Sequence, residues 1–200
     1  MAIASIWVWA MSSEARPWRL LGGGALALLA SAPAVIAADY LSLADAQRAI
    51  FPEATGFEPM VLQPTAAQRQ AIAALAGSQP PRGRLAAWRV RGRAGELGYF
   101  FTDEVVGRED FIDYALGIDA EGTLRAPEIM SYRESHGGEI RNEAWRRQFA
   151  GRHGLDELRV QTDIKNIAGA TLSCQHVTEG VRWLTALWQV ALQPPPAQAG

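Results

Sequence analysis

The chain has 200 residues, 48% of them hydrophobic and 20% charged, which suits one domain with a sizeable core rather than two. Its 19 basic and 21 acidic residues leave a formal net charge of −2, so it carries no basic field and nucleic acid is not an expected partner. A single cysteine, Cys174, excludes an internal disulfide framework, a CxxC redox pair, iron–sulfur clusters and multi-cysteine zinc sites.

Residues 1–37 read as a signal peptide. Arg16 and Arg19 form a positive flank, Leu20 to Leu29 is an apolar run, and Val35 and Ala37 satisfy the small-residue rule for cleavage after Ala37. Met11 is an alternative start, because the residues before it add nothing to such a signal. The rival reading is an uncleaved anchor, since Leu20 to Ala38 approaches the length of a membrane span. On either reading the folded part, residues 38–192, is expected outside the cytoplasm, in the periplasm or its equivalent. The segment Gln193 to Gly200, with three consecutive prolines, is expected to be a disordered tail.

Ser42-Leu43-Ala44-Asp45 has the form of a capping box and opens a helix with Leu43, Ala46, Ala49 and Ile50 on one side, stopped by Pro52. Phe57 to Leu62 follows as a strand that Pro59 confines to an edge. Thr65 and Gln68 repeat the capping pattern before a second helix through Ile72 and Leu75, ended by Gly77. Ser78 to Gly83 reads as a surface loop. From Leu85 the period becomes strand-like: Ala87 to Arg91, a turn at Gly92 to Gly95, then Leu97 to Thr102. Phe111 to Ile118 alternates, with Phe111, Asp113, Ala115 and Gly117 facing away from Ile112, Tyr114, Leu116 and Ile118. After a tight turn at Asp119 to Gly122, Thr123 to Tyr132 returns as the partner strand. The fold class is therefore α+β, an antiparallel β-meander with packed helices, and a doubly wound nucleotide fold is excluded. No GxGxxG follows a strand, so a nicotinamide site has no support.

Two loops carry chemistry. Arg133-Glu134-Ser135-His136-Gly137-Gly138 follows the last strand, and its paired glycines allow a flat ligand to approach the backbone or a positive φ. On composition alone a solvated strand-to-helix connection is the favoured reading. Asn166-Ile167-Ala168-Gly169-Ala170-Thr171-Leu172-Ser173 runs into a helix whose Val177, Val181, Leu184, Leu187 and Ala191 recur at helical spacing. A helix N-terminus with free amides and the positive end of a dipole seats a phosphate, although Thr171 and Ser173 also suit ordinary capping. His136, His153 and His176 lack metal-ligand spacing, so no metal site is expected. Ser173, His176 and Asp163 lack the G-x-S-x-G elbow of a hydrolase, and no catalytic residue is nominated.

Gly169-Ala170-Thr171 with Ser173 resembles the Ser-Gly-Ala-Thr-x-Ser signature of the FMN-binding domain family, to which subunits of sodium-pumping NADH:quinone reductases and Rnf complexes belong. Ala168 stands where that family has serine. Glu134-Ser135-His136-Gly137-Gly138 resembles its Glu-Thr-Pro-Gly-x-Gly loop, with His136 for proline and one spacer fewer. Trp145, Phe149 and Gly151 resemble its Trp-x-x-x-Phe-x-Gly helix. The likeness runs from about Gly98 to Leu187.

The resemblance implies FMN, with Thr171 esterified to its phosphate at the start of the C-terminal helix. It implies Gly169, Ala170, Leu172 and Ser173 around the phosphate, and Glu134, Ser135, Gly137 and Gly138 along the ring or ribityl chain. Lys165 and Arg141 are candidates to offset the phosphate charge, and Trp145 is expected to be a core anchor rather than a stacking platform. The implied role is electron relay, with a flavin transferase for attachment, a membrane redox partner and possible membrane association. A secreted α+β binding module without redox activity, or a flavin-dependent reductase, are the alternatives.

Overall fold

The computed structural model describes residues 38–78 and 84–193. The expected signal peptide, residues 79–83 of the expected surface loop, and the tail beyond Gln193 lie outside the described residues.

Both early helices start where their side chains satisfy free amides. Ser42 Oγ accepts from the Asp45 amide at 3.2 Å and opens α1 (Leu43–Ile50). Ala46 and Ile50 are buried, while Leu43 and Ala49 stay exposed, so α1 docks by a narrower stripe than its periodicity predicts. Thr65 and Gln68 form the reciprocal capping box of α2 (Ala66–Ala76), which stops at Gly77.

Six strands make one antiparallel sheet: β1 (Ala38–Asp39), β2 (Gly56–Met60), β3 (Ala86–Gly92), β4 (Gly95–Val106), β5 (Phe111–Asp119) and β6 (Glu128–Tyr132). Their order is β1-β6-β5-β4-β3-β2, so the four central strands follow one another as a meander. Pro59 lies on the outer strand β2, where a missing amide costs no ladder bond.

Two strands differ from expectation. β4 runs on past Thr102 to Val106, because the polar pair Asp103 and Glu104 is paired within the sheet instead of ending it. β6 starts only at Glu128, with Thr123 and Leu124 making isolated bridges to His153 and Ile118. Pro127 immediately before β6 has no amide to give to a ladder.

Alternation along β4 and β5 sorts side chains into two cores. Tyr99, Phe101, Ile112, Tyr114, Leu116 and Ile118 face α4 (Thr171–Leu187), which buries Val177, Val181, Leu184 and Leu187 against them. Phe100 and Ala115 face the other way, towards Ala46, Ile50 and Phe51 at α1. Each large side chain so buried contributes about 1.5–3 kcal/mol. At Gly180, α4 comes so near the sheet that a Cβ would lie 2.5 Å from Tyr114 Oη and 2.9 Å from Val105. This packing brings the start of α4 to the end of β6.

Candidate functional site

Thr171 is the first residue of α4, and Ala170, with no side-chain acceptor, is its N-cap. Ordinary capping by Thr171 or Ser173 is therefore not what the structure contains. The first helical amide with an acceptor is that of Cys174, bonded to the Ala170 carbonyl at 2.9 Å. The amides of Thr171, Leu172 and Ser173 have no acceptor among the described residues. Thr171, Leu172 and Gly169 are exposed while Ser173 is buried, so the Thr171 hydroxyl and the free amides of the first turn stand at the positive end of a 17-residue helix. Gly169 holds φ at +89°, with open space where a side chain would stand. Its left-handed turn aims the chain into the helix.

The second loop meets this helix start. Gly137 has φ +92°, and a Cβ there would collide with the Tyr132 hydroxyl and lie 3.0 Å from Ser173 Oγ and 3.5 Å from Ala170 Cα. Gly137, Ala170 and Ser173 thus form one wall. Tyr132, the last residue of β6, ties that wall together: its hydroxyl donates to the His136 carbonyl and lies 3.1 Å from Ser173 Oγ. Burial, before the nearby carboxylates, raises the Tyr132 phenol above its ordinary range, so it stays a neutral donor. Sequence reasoning missed Tyr132, because nothing in the strand pattern distinguishes a terminal core tyrosine from one whose hydroxyl bridges two loops.

The remaining candidates divide. Ser135 is exposed on the outer part of the loop, and Gly138 opens a short 3-10 turn, Gly138–Arg141. Glu134 turns away: its Oε1 accepts from the amides of Arg108, Glu109 (3.0 Å) and Asp110 (3.3 Å), holding the tip of the β4–β5 hairpin. Arg141 donates to the Gly138 carbonyl and stacks over Tyr40, 4.2 Å from its ring centre. Lys165 Nζ is bonded to the Gln161 carbonyl at 2.9 Å.

Trp145 is the expected core anchor. It is 3% exposed, sits in the four-residue helix α3 (Glu143–Arg146), packs edge-on against Phe149 and donates from Nε1 to the Lys165 carbonyl at 2.9 Å. Phe149 lies past the end of that helix, in turns that α3 does not extend into. Gln148 grips Lys165 at both its amide and its carbonyl, so the approach to the Gly169 turn is fixed on both sides. Asn166, just after it, has both side-chain polar atoms buried without a partner among the described residues. Cys174 is fully buried, and burial raises its thiol above the ordinary value, which suits a packing role. Ser173 is committed to Tyr132 and Asp163 to Arg159, so neither is free for a triad with His176. Among the described residues no three His, Cys, Asp or Glu gather to hold a metal ion. No helix among them is long and apolar enough to cross a membrane.

Residues 107–184 match the FMN-binding domain family. The matched span opens at the hairpin held by Glu134 and closes inside α4, so it contains both loops of the site. No curated protein matches the chain. FMN is the cofactor this match indicates, and the residues present fit its phosphate: three unbonded amides and an exposed hydroxyl at a helix start, walled by a glycine that leaves no room for a side chain.

Proposed function

From the premise that residues 107–184 are an FMN-binding domain, we propose that this flavoprotein holds FMN through a phosphoester to Thr171 and works outside the cytoplasm as an electron relay. The observation carrying this reading is the state of Thr171: an exposed hydroxyl on the first residue of α4, spared from capping and flanked by unbonded amides. Those amides and the helix dipole would bind the phosphate oxygens. The wall of Gly137, Ala170 and Ser173 would orient the rest of the cofactor, and Arg141 above Gly138 would supply positive charge nearby. FMN, when bound, supplies one- and two-electron redox chemistry, while the protein supplies attachment, orientation and tuning.

Export rests on the reading of residues 1–37 as a signal peptide or anchor. Covalent attachment suits that compartment, where a dissociated flavin would be lost. The proposal brings two partners with it: a flavin transferase that forms the ester, and a membrane redox partner. Among the described residues no cluster of side chains beside the site nominates a substrate or proton donor, so a carrier is favoured over a reductase.

The test is the intact mass of the protein purified from its own host and denatured first. A gain of FMN minus water on the peptide containing Thr171 supports the ester, and the same spectrum reports cleavage after Ala37. Yellow colour lost on denaturation, with an unmodified mass, would replace the ester by non-covalent binding. A colourless, unmodified protein would overturn the reading in favour of a plain binding module.

A further inference from the structure

The start of α4 carries two hydroxyls, and the helix sends them to different sides. Residues two apart on an α-helix lie roughly 200° apart around its axis, so Thr171 and Ser173 point in nearly opposite directions. Thr171 is exposed. Ser173 lies one turn before Val177, on the stripe that packs against the sheet, and is only 3% exposed. A serine in that stripe buries a polar atom and needs a hydrogen-bond partner.

Its partner is Tyr132. A phenol has one proton, and Tyr132 gives it to the His136 carbonyl, which can only accept. In the 3.1 Å contact between Tyr132 Oη and Ser173 Oγ the donor is therefore Ser173. The phenol responds accordingly: burial raises it, and the Ser173 hydrogen bond works against that rise, as a bond donated to the phenol oxygen does. The Ser173 proton is thus committed inside the wall and is not there to give to a phosphate. Its oxygen faces Gly137, where a Cβ would come within 3.0 Å of it. One phenol oxygen so joins three elements: the end of β6, the carbonyl just before the left-handed turn of Gly137, and the first turn of α4.

We propose that Tyr132 and Ser173 are a positioning pair that fixes the Gly137 loop against the start of α4, and that Ser173 acts on the flavin through Tyr132 and not as a ligand of its phosphate. The proposal rests on the reading of this wall as the flavin's seat.

The test compares Tyr132→Phe, Ser173→Ala and the double variant with the parent, all purified from the parent's own host. Tyr132→Phe removes the shared oxygen and leaves the attachment motif untouched. Hydrogen exchange in the segment Arg133 to Arg141 is expected to quicken about fivefold or more in Tyr132→Phe, as for buried groups left without their partner. Ser173→Ala should show part of that change, and the double variant no more than Tyr132→Phe, because both side chains act through one contact. In every variant the flavin should stay on the denatured protein, while its visible circular dichroism weakens and its midpoint potential shifts in the same direction. Parental dichroism and potential in Tyr132→Phe, even with faster exchange, would reduce the pair to a structural contact and overturn the proposal. Loss of flavin from Ser173→Ala beside an unaltered flavin in Tyr132→Phe would also overturn it, by placing Ser173 on the cofactor or the transferase. Should Tyr132→Phe fail to fold, Ser173→Ala decides alone: weakened dichroism on a retained flavin supports the pair, and a parental spectrum or a lost flavin overturns it. A parent carrying no flavin is a separate failure, which removes the cofactor reading itself and this assignment with it.

Discussion

Gly137 is a position where one added carbon has two separate costs. Its φ of +92° is left-handed, which a residue with a Cβ adopts at a cost of about 1–2 kcal/mol, and the carbon itself would run into the Tyr132 hydroxyl. Gly137→Val is therefore expected to push the loop away from Ala170 and Ser173 and lower flavin occupancy. Visible absorbance per protein after gel filtration checks this; an unchanged spectrum and potential would remove the loop from the site. Thr171 behaves oppositely, because its hydroxyl bonds to nothing among the described residues and its side chain is exposed. Thr171→Ala is expected to abolish covalent flavin while changing stability by less than about 0.5 kcal/mol, as for an uninvolved surface substitution. Denatured mass and a chemical unfolding curve test the two halves of that statement. Flavin retained on the denatured variant would place the linkage elsewhere.

Among the elements, α4 depends on its near approach to β4 and β5. Gly180→Ala would set a methyl 2.5 Å from Tyr114 Oη and 2.9 Å from Val105, so the helix must shift or the tyrosine must move. A loss of about 1–3 kcal/mol is expected in denaturant unfolding. The two capped helices, the edge placement of β2, the alternation of β5 and the helix beginning at Thr171 were all legible in the sequence, because each is written in local patterns: a cap, a proline, a period of two or of 3.6. The length of β4 was not legible, since Asp103 looks like a strand terminator until Tyr114 on the neighbouring strand is seen to bond it at 3.0 Å. The late start of β6 and the brevity of α3 escaped for the same reason: partners distant in sequence, not local propensity, decide them. At the site, both glycine loops were legible as motifs. Their meeting through Tyr132, and the diversion of Glu134 to the hairpin tip, are properties of the packed chain.

For the molecule as a whole, the Asp103–Tyr114 pair between sheet and α4 sets a dependence of stability on pH. Asp103 is 2% exposed, and burial raises its carboxyl from 3.8 to about 6 despite the Tyr114 hydrogen bond. Below the lower value it is protonated in both folded and unfolded chains and costs nothing. Between the two, the folded state holds the extra proton, so stability falls as pH rises; above about 6 the loss is complete, at about 3 kcal/mol. Asp103→Asn keeps an acceptor for Tyr114 and removes the titration. Its melting temperature is expected to exceed the parent's at pH 8 and to converge with it near pH 4. A parallel pair of melting curves across that range would contradict the assignment. The matched span has a further consequence for how such a protein can be cut and joined. It begins at residue 107, one residue after β4 ends, yet β5 is zipped to β4 from Gly98↔Asp119 to Val106↔Phe111. A fragment trimmed to the motif would carry Tyr132, Gly137, Ala170 and Ser173 and still expose a long, naked strand edge prone to stick to its copies. The portable unit for fusion or transplantation is therefore larger than its signature, and must bring β4 and the strands behind it.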